Sequence, residues 1–277
     1  MSSMAPVETH GMDSPVNEVG QWVATGLTWG LGLFVLVWIV TLSRRERTIW
    51  PLCVAVSGTL GCLMEPLFDH LYGLWFREQG QWHLYTTFGS SQPVWLPAAY
   101  LTFYGGATVY IARYLKRRPT MRSVWQMYGF IVVMAIAAEM TYVSILRVYE
   151  YQDSQPFVVF GYPIFLGFTN AMSALVSGIL VYRLVPLLKG WGYLSLIPLV
   201  PIAFAAGLFG SGIVYLSVRH GLENPSTLLV HLAALTVVGG IASTVALLGR
   251  LLVAPAGAPV SPSHASVRRR RDLAPNG

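Results

Sequence analysis

Long apolar runs dominate the chain and are broken at short intervals by clusters of basic or turn-forming residues. Seven runs are long enough to cross a bilayer, which takes about 20 mainly apolar residues. They cover roughly 21–42, 51–75, 93–115, 123–148, 158–187, 193–218 and 226–253. None alternates with a period of two, so helices are expected in each, and lipid admits only helices or closed barrels as spanning structures. The expected fold is therefore all-α: a polytopic membrane bundle of seven transmembrane helices. Residues 1–20 are expected as a disordered outer arm, 21–253 as the membrane domain and 254–277 as a disordered basic cytoplasmic tail.

Composition agrees with this pattern. Apolar residues make up 54% of the 277 and charged residues 11%, where soluble domains carry about 25% charged residues. The first twenty residues hold no Lys or Arg, and the first run follows without a basic n-region, so no cleavable leader is expected. Basic residues gather in alternate connections: Arg44, Arg45 and Arg47, then Lys116, Arg117, Arg118 and Arg122, then Arg183 and Lys189, then Arg268 to Arg271. Positive charge stays on the cytoplasmic side, which puts the N-terminus outside and the C-terminus inside. A multi-pass protein of the cell membrane is expected if the source is bacterial. The net charge of +6 follows from this asymmetry and suits anionic membrane lipid at the basic tail. Neither nucleic acid nor a protein partner is expected. Cys53 and Cys62, nine residues apart on one helix, stand ~13 Å apart, too far to bridge.

Against this apolar background the stretch from Cys62 to Trp95 stands out. Within a span it carries Glu65, Asp69 and His70. A carboxylate at such depth costs roughly 2.5–3.5 kcal/mol, and intramembrane acids mark function by default. Glu65 and Asp69 are four apart and share a helix face. Pro66 frees the carbonyl of Cys62 and kinks the helix beside the acid. A second acid, Glu139, lies on the fourth span with Tyr142 three residues on, at the depth of Glu65, ~21–24 Å from the inner side. Arg147 is placed either to pair with a carboxylate or to reach the outer surface. The connection over 76–92 holds Trp82, His83, Tyr85 and Gln92, and reads as an aromatic belt or as a lid. Trp75, Trp95, Tyr104 and Asn170 complete the candidate lining, with Tyr100 on the face of Tyr104. Gly105 and Gly106 mark a close helix approach. His231 reads as a hydrogen-bonded core residue.

Several chemistries lack their residues. Lys116 and Lys189 sit at helix edges, so a buried retinal Schiff base is excluded. H-x-x-H, H-E-x-x-H and aspartate-rich diphosphate motifs are absent, and no G-x-S-x-G elbow occurs. No metal and no cofactor are expected. What the pattern offers is carboxyl groups in an apolar, aromatic cavity. A carboxyl withdrawn from water favours its neutral form, which can donate a proton to an alkene or epoxide, while aromatic faces stabilise a cation.

Seven spans in a small chain, an acid in the outer part of span two within CLMEP, a second acid on a later helix and no magnesium motif together resemble the small integral-membrane terpene cyclases of meroterpenoid pathways. The resemblance implies a metal-free cyclase or isomerase that protonates a lipophilic, prenylated substrate. Glu65 would be the acid, with Glu139 or Asp69 as partner. In those cyclases the second acid lies on a late helix; spans six and seven hold none here, so the role passes to Glu139. Trp75, Trp95, Tyr104, Tyr142 and Asn170 would shape the substrate cavity. Two other classes fit the same acids: a proton-coupled transporter or lipid-binding protein with Glu65, Asp69 and Glu139 as a relay, and a receptor or scaffold with a purely structural polar cluster.

Overall fold

The computed structural model describes residues 14–117, 119–152 and 154–253. Most of the expected outer arm and all of the expected tail lie outside the described residues. Of the arm, residues 14–20 are ordered: Val16 N–H donates to Gln79 O at 2.9 Å, and Asn17 caps the first helix through Gly20 N–H at 3.0 Å.

The chain is mostly helical. Helix α1 is Glu18–Glu46 and α2 is Trp50–Tyr72; α3 is helical over 96–115. Then come α4 Met121–Leu146, α5 Phe165–Leu187, α6 Gly190–Gly221 and α7 Thr227–Leu252. All except α3 are long and apolar enough to cross a membrane. Tyr100, Tyr104, Tyr110 and Tyr114, with Gly105 and Gly106, dilute the apolar character of α3. The outer surface carries large exposed apolar side chains, among them Trp22, Phe34, Phe130 and Leu247, and suits hydrocarbon rather than water. Inside, α5 forms the spine and is the most buried of these six. Its small and polar residues Thr169, Asn170, Ser173 and Ser177 let α3, α4 and α6 pack closely around it. Helices α2 and α3 also approach closely: a Cβ on Gly58 would collide with the Gly105 backbone.

Three short two-stranded antiparallel sheets, absent from an all-α expectation, cover the end of the bundle where α2 and α3 are joined. Strand β1, Leu74–Phe76, pairs with β4, Tyr149–Tyr151, with Trp75 opposite Glu150. Strands β2, His83–Thr87, and β3, Ser90–Pro93, form a hairpin within the 76–92 connection, and β5, Val158–Val159, pairs with β6, Tyr162–Pro163. Gly73, in the left-handed region at φ +69°, ends α2 and turns the chain into β1.

Several helices depart from regular α geometry. Ahead of Pro66, Gly61–Met64 tightens into a 3-10 turn. The Cys62 carbonyl then accepts from Glu65 N–H and from Tyr85 O–H at 2.8 Å. Burial pushes the Tyr85 phenol well above its usual range, so it stays a donor. Wider π segments occur at Leu101–Gly106, Thr141–Leu146 and Ala206–Gly210, and such segments gather at functional sites. Arg147 pairs with no carboxylate among the described residues; it is exposed and closes α4 with φ 53°. An ion pair at this end joins Arg77 to Glu150 at 3.1 Å. His231 Nδ1–H donates within its own helix to Thr227 O, 2.8 Å, and its ring packs edge-on to Phe157.

Candidate functional site

Glu65 begins the helical segment after the 3-10 turn, and that break sets the direction of its side chain toward α3. Tyr100 O–H donates to its Oε2, while Oε1 accepts no hydrogen bond from the described residues. The carboxylate thus has one atom fixed and one available. Glu139 repeats the arrangement on α4. Its Oε2 accepts from Tyr149 O–H at 2.7 Å and Tyr151 O–H at 3.2 Å, leaving Oε1 without a hydrogen bond from the described residues. Both tyrosines lie on β4, which is held by β1 directly after the helix of Glu65. One ladder therefore couples the two acid-bearing helices. Burial and the neighbouring Glu139 push both phenols well above their usual range, so they remain donors. Neither acid has a Lys, Arg or His partner among the described residues; their polar contacts are tyrosine hydroxyls.

The two carboxyl groups line one cavity of about 380 Å3, within the ~300–1,000 Å3 of small-molecule sites. Aromatic and small aliphatic side chains form its walls. Trp95 packs on Tyr142 with ring centres 4.9 Å apart and near-parallel to Tyr149 at 6.4 Å. Across the cavity Tyr104 contacts Tyr100 at 4.9 Å and Phe204 edge-on at 5.2 Å. Tyr104 O–H donates to Asn170 Oδ1 at 2.9 Å, which fixes the ring against α5. Tyr142 and Thr28 share a hydroxyl–hydroxyl hydrogen bond that ties α4 to α1. Leu27 and Leu31 of α1 and Met134, Ala137 and Ala138 of α4 both line the cavity and are exposed. The cavity opens there, sideways, onto the apolar outer surface.

Six expected site residues meet in this lining: Glu65, Glu139, Trp95, Tyr104, Tyr142 and Asn170. Asp69 and Trp75 do not. Asp69, 0% exposed, lies a turn further along α2 and faces the β2–β3 hairpin. Its Oδ2 accepts from Ser90 Oγ–H at 2.6 Å and Gln92 Nε2–H at 2.7 Å, and its buried Oδ1 has no partner among the described residues. The position beside Asp69 is occupied by the hairpin. Trp75 comes after Gly73 has ended the helix, so helical spacing no longer governs it; it is buried in β1. Residues not singled out from the pattern are Tyr149 and Tyr151 as partners of Glu139, Thr28, and Phe204 on the apolar sixth span. Tyr149 and Tyr151 follow the fourth apolar run within YEYQ, and pairing across some 75 residues leaves no periodic trace.

Among the described residues no group of three or more His, Cys, Asp and Glu side chains is arranged to hold a metal ion. The chain matches no protein-family model, no curated protein and no solved structure. The reading of the site accordingly rests on its own geometry.

Proposed function

We propose that this chain is a membrane-embedded, acid-initiated cyclase or isomerase of a lipophilic, prenylated substrate. All seven helices, α3 included, cross the bilayer with the N-terminus outside. The observation that carries the reading is two carboxyl groups, each with one oxygen fixed and one available, in a single aromatic cavity open to the apolar surface. A lateral opening suits a substrate dissolved in lipid better than a solute crossing between two aqueous sides, which favours catalysis over transport.

In the proposed reaction Glu65, in its acid form, gives a proton to a terminal alkene or epoxide. For an alkene, its π pair forms the new C–H bond and leaves a tertiary cation; for an epoxide, the C–O bond breaks and the oxygen keeps the proton as a hydroxyl. A second double bond closes a ring by giving its electron pair to the cation, which moves along the chain. The faces of Trp95, Tyr142 and Tyr104 stabilise it, and the dry walls delay capture by water. Glu139, in its carboxylate form, takes a proton from the adjacent carbon, and that C–H pair becomes the product double bond. Nothing is added or lost, so the product is an isomer of the substrate. Membranes containing the chain, supplied with prenylated and epoxyprenylated compounds, should yield such an isomer by mass spectrometry. If folded protein converts none of them while a pH gradient drives uptake into proteoliposomes, the acids form a transport relay instead.

A further inference from the structure

A second cavity, of about 690 Å3, lies between the end of α1, the start of α2 and the start of α6, and the chemistry above makes no use of it. Ser43, Arg44, Arg47, Thr48 and Trp191 line it, with Ile49 and Leu52 on the α2 side. We propose that it binds a phosphate group, supplied by the headgroup of an anionic phospholipid.

Four observations converge on that ligand. Ser43 is only 6% exposed, yet its Oγ has no hydrogen-bond partner among the described residues, and neither has Thr48 Oγ1. Buried hydroxyls without partners are uncommon and costly, and both here belong to the cavity lining. Arg44 and Arg47 are exposed and have no ion-pair partner among the described residues; the carboxylate between them, Glu46, is taken by Arg113. Two guanidinium groups are therefore available to the cavity, in a geometry that favours phosphate oxygens.

Of the two helix ends at the cavity, the start of α2 adds to this field, while the end of α1 carries the opposite dipole end. At the end of α1, the Ser43 and Arg44 carbonyls are capped by Thr48 N–H at 3.1 Å and Arg47 N–H at 3.4 Å, with Arg47 at φ 50°. Those oxygens are thus already engaged, while α2 begins at the cavity with no side-chain cap on its first-turn amides, and a helix start favours an anion. Finally, exposed apolar side chains of the lining flank the basic group: Trp191 is 82% exposed and Ile49 40%. They would take acyl chains and the interfacial glycerol, which separates a lipid phosphate from a free one. An exposed Trp at such a level fits a membrane interface.

The proposal rests on the chain lying in a bilayer and not on the chemistry at Glu65. The test is native mass spectrometry of the delipidated full chain in detergent, titrated separately with phosphatidylglycerol and phosphatidylcholine. Thermal unfolding in millimolar inorganic phosphate forms the third arm. Expected is retention of phosphatidylglycerol over phosphatidylcholine, weakened roughly fivefold by Arg44→Gln or Arg47→Gln and about 25-fold by both. Ser43→Ala, which removes only the buried hydroxyl, should weaken it about threefold and serves if the double variant fails to fold. Arg117→Gln with Arg122→Gln should leave it unchanged. Glu65→Gln should bind as the parent does, which keeps failure here distinct from failure of the proposed catalysis. Equal binding of the two lipids, or full binding by the double variant, overturns the site. Stabilisation by inorganic phosphate as large as that by phosphatidylglycerol overturns the lipid as its source.

Discussion

Glu65 and Glu139 are held by the same device, a tyrosine hydroxyl on one carboxyl oxygen. Such a bond orients the acid without neutralising it, as an arginine would. Tyr100→Phe should therefore lower turnover about tenfold, the effect of losing one hydrogen bond to a charged or reacting carboxyl, measured as conversion by protein that remains folded in the membrane. Glu139→Gln keeps the shape and the acceptor for Tyr149 and Tyr151 but cannot take a proton. It should slow product formation by ~100-fold or more, measured as conversion at saturating substrate. At this scale the sequence was informative where a residue violates its surroundings. An acid within an apolar run is visible without a structure, and so is Tyr142 three residues from Glu139. Asp69 shows the limit: helix spacing places it one turn from Glu65, but the occupant of that turn is a hairpin that periodicity does not reveal.

That hairpin is the element whose anchoring can be tested. Asp69 binds Ser90 and Gln92, and Tyr85 reaches the Cys62 carbonyl left by the Pro66 break. Asp69→Ala leaves two buried donors unsatisfied and should cost about 2 kcal/mol or more. Asp69→Asn keeps an acceptor oxygen and should cost distinctly less, an ordering that thermal unfolding in detergent reads directly. The α2–α3 crossing makes a separate demand: Gly58→Ala drives a methyl into the Gly105 backbone and should destabilise by about 1–3 kcal/mol. The break at Pro66 and the small residues of α3 were legible because their causes are local. The β1–β4 ladder was not, since it joins segments that follow different helices and depends on how those helices pack.

Over the whole molecule, each of the seven apolar runs contains a helix; the first begins at Glu18 rather than at 21 because Asn17 caps it, and the fifth, expected over 158–187, begins only at Phe165 because Val158–Val159 and Tyr162–Pro163 pair as β5 and β6. The run over 96–115 is the least apolar, since it lends tyrosines to the cavity. The distribution of Lys and Arg gives an orientation that labelling can check. Cys53 and Cys62 are free and buried, so they leave a quiet background for introduced thiols. Glu78→Cys should react with a membrane-impermeant maleimide in intact cells, and Arg117→Cys only after permeabilisation; the reverse pattern would invert the topology. The central claim is that Glu65 starts the chemistry by giving up a proton. The most direct measurement compares Glu65→Gln with the parent chain, both folded in membranes and supplied with the same prenylated compounds, by mass spectrometry of the extracts. The account predicts an isomer of the supplied compound from the parent and none from the variant. An unchanged yield of that isomer from Glu65→Gln would contradict it.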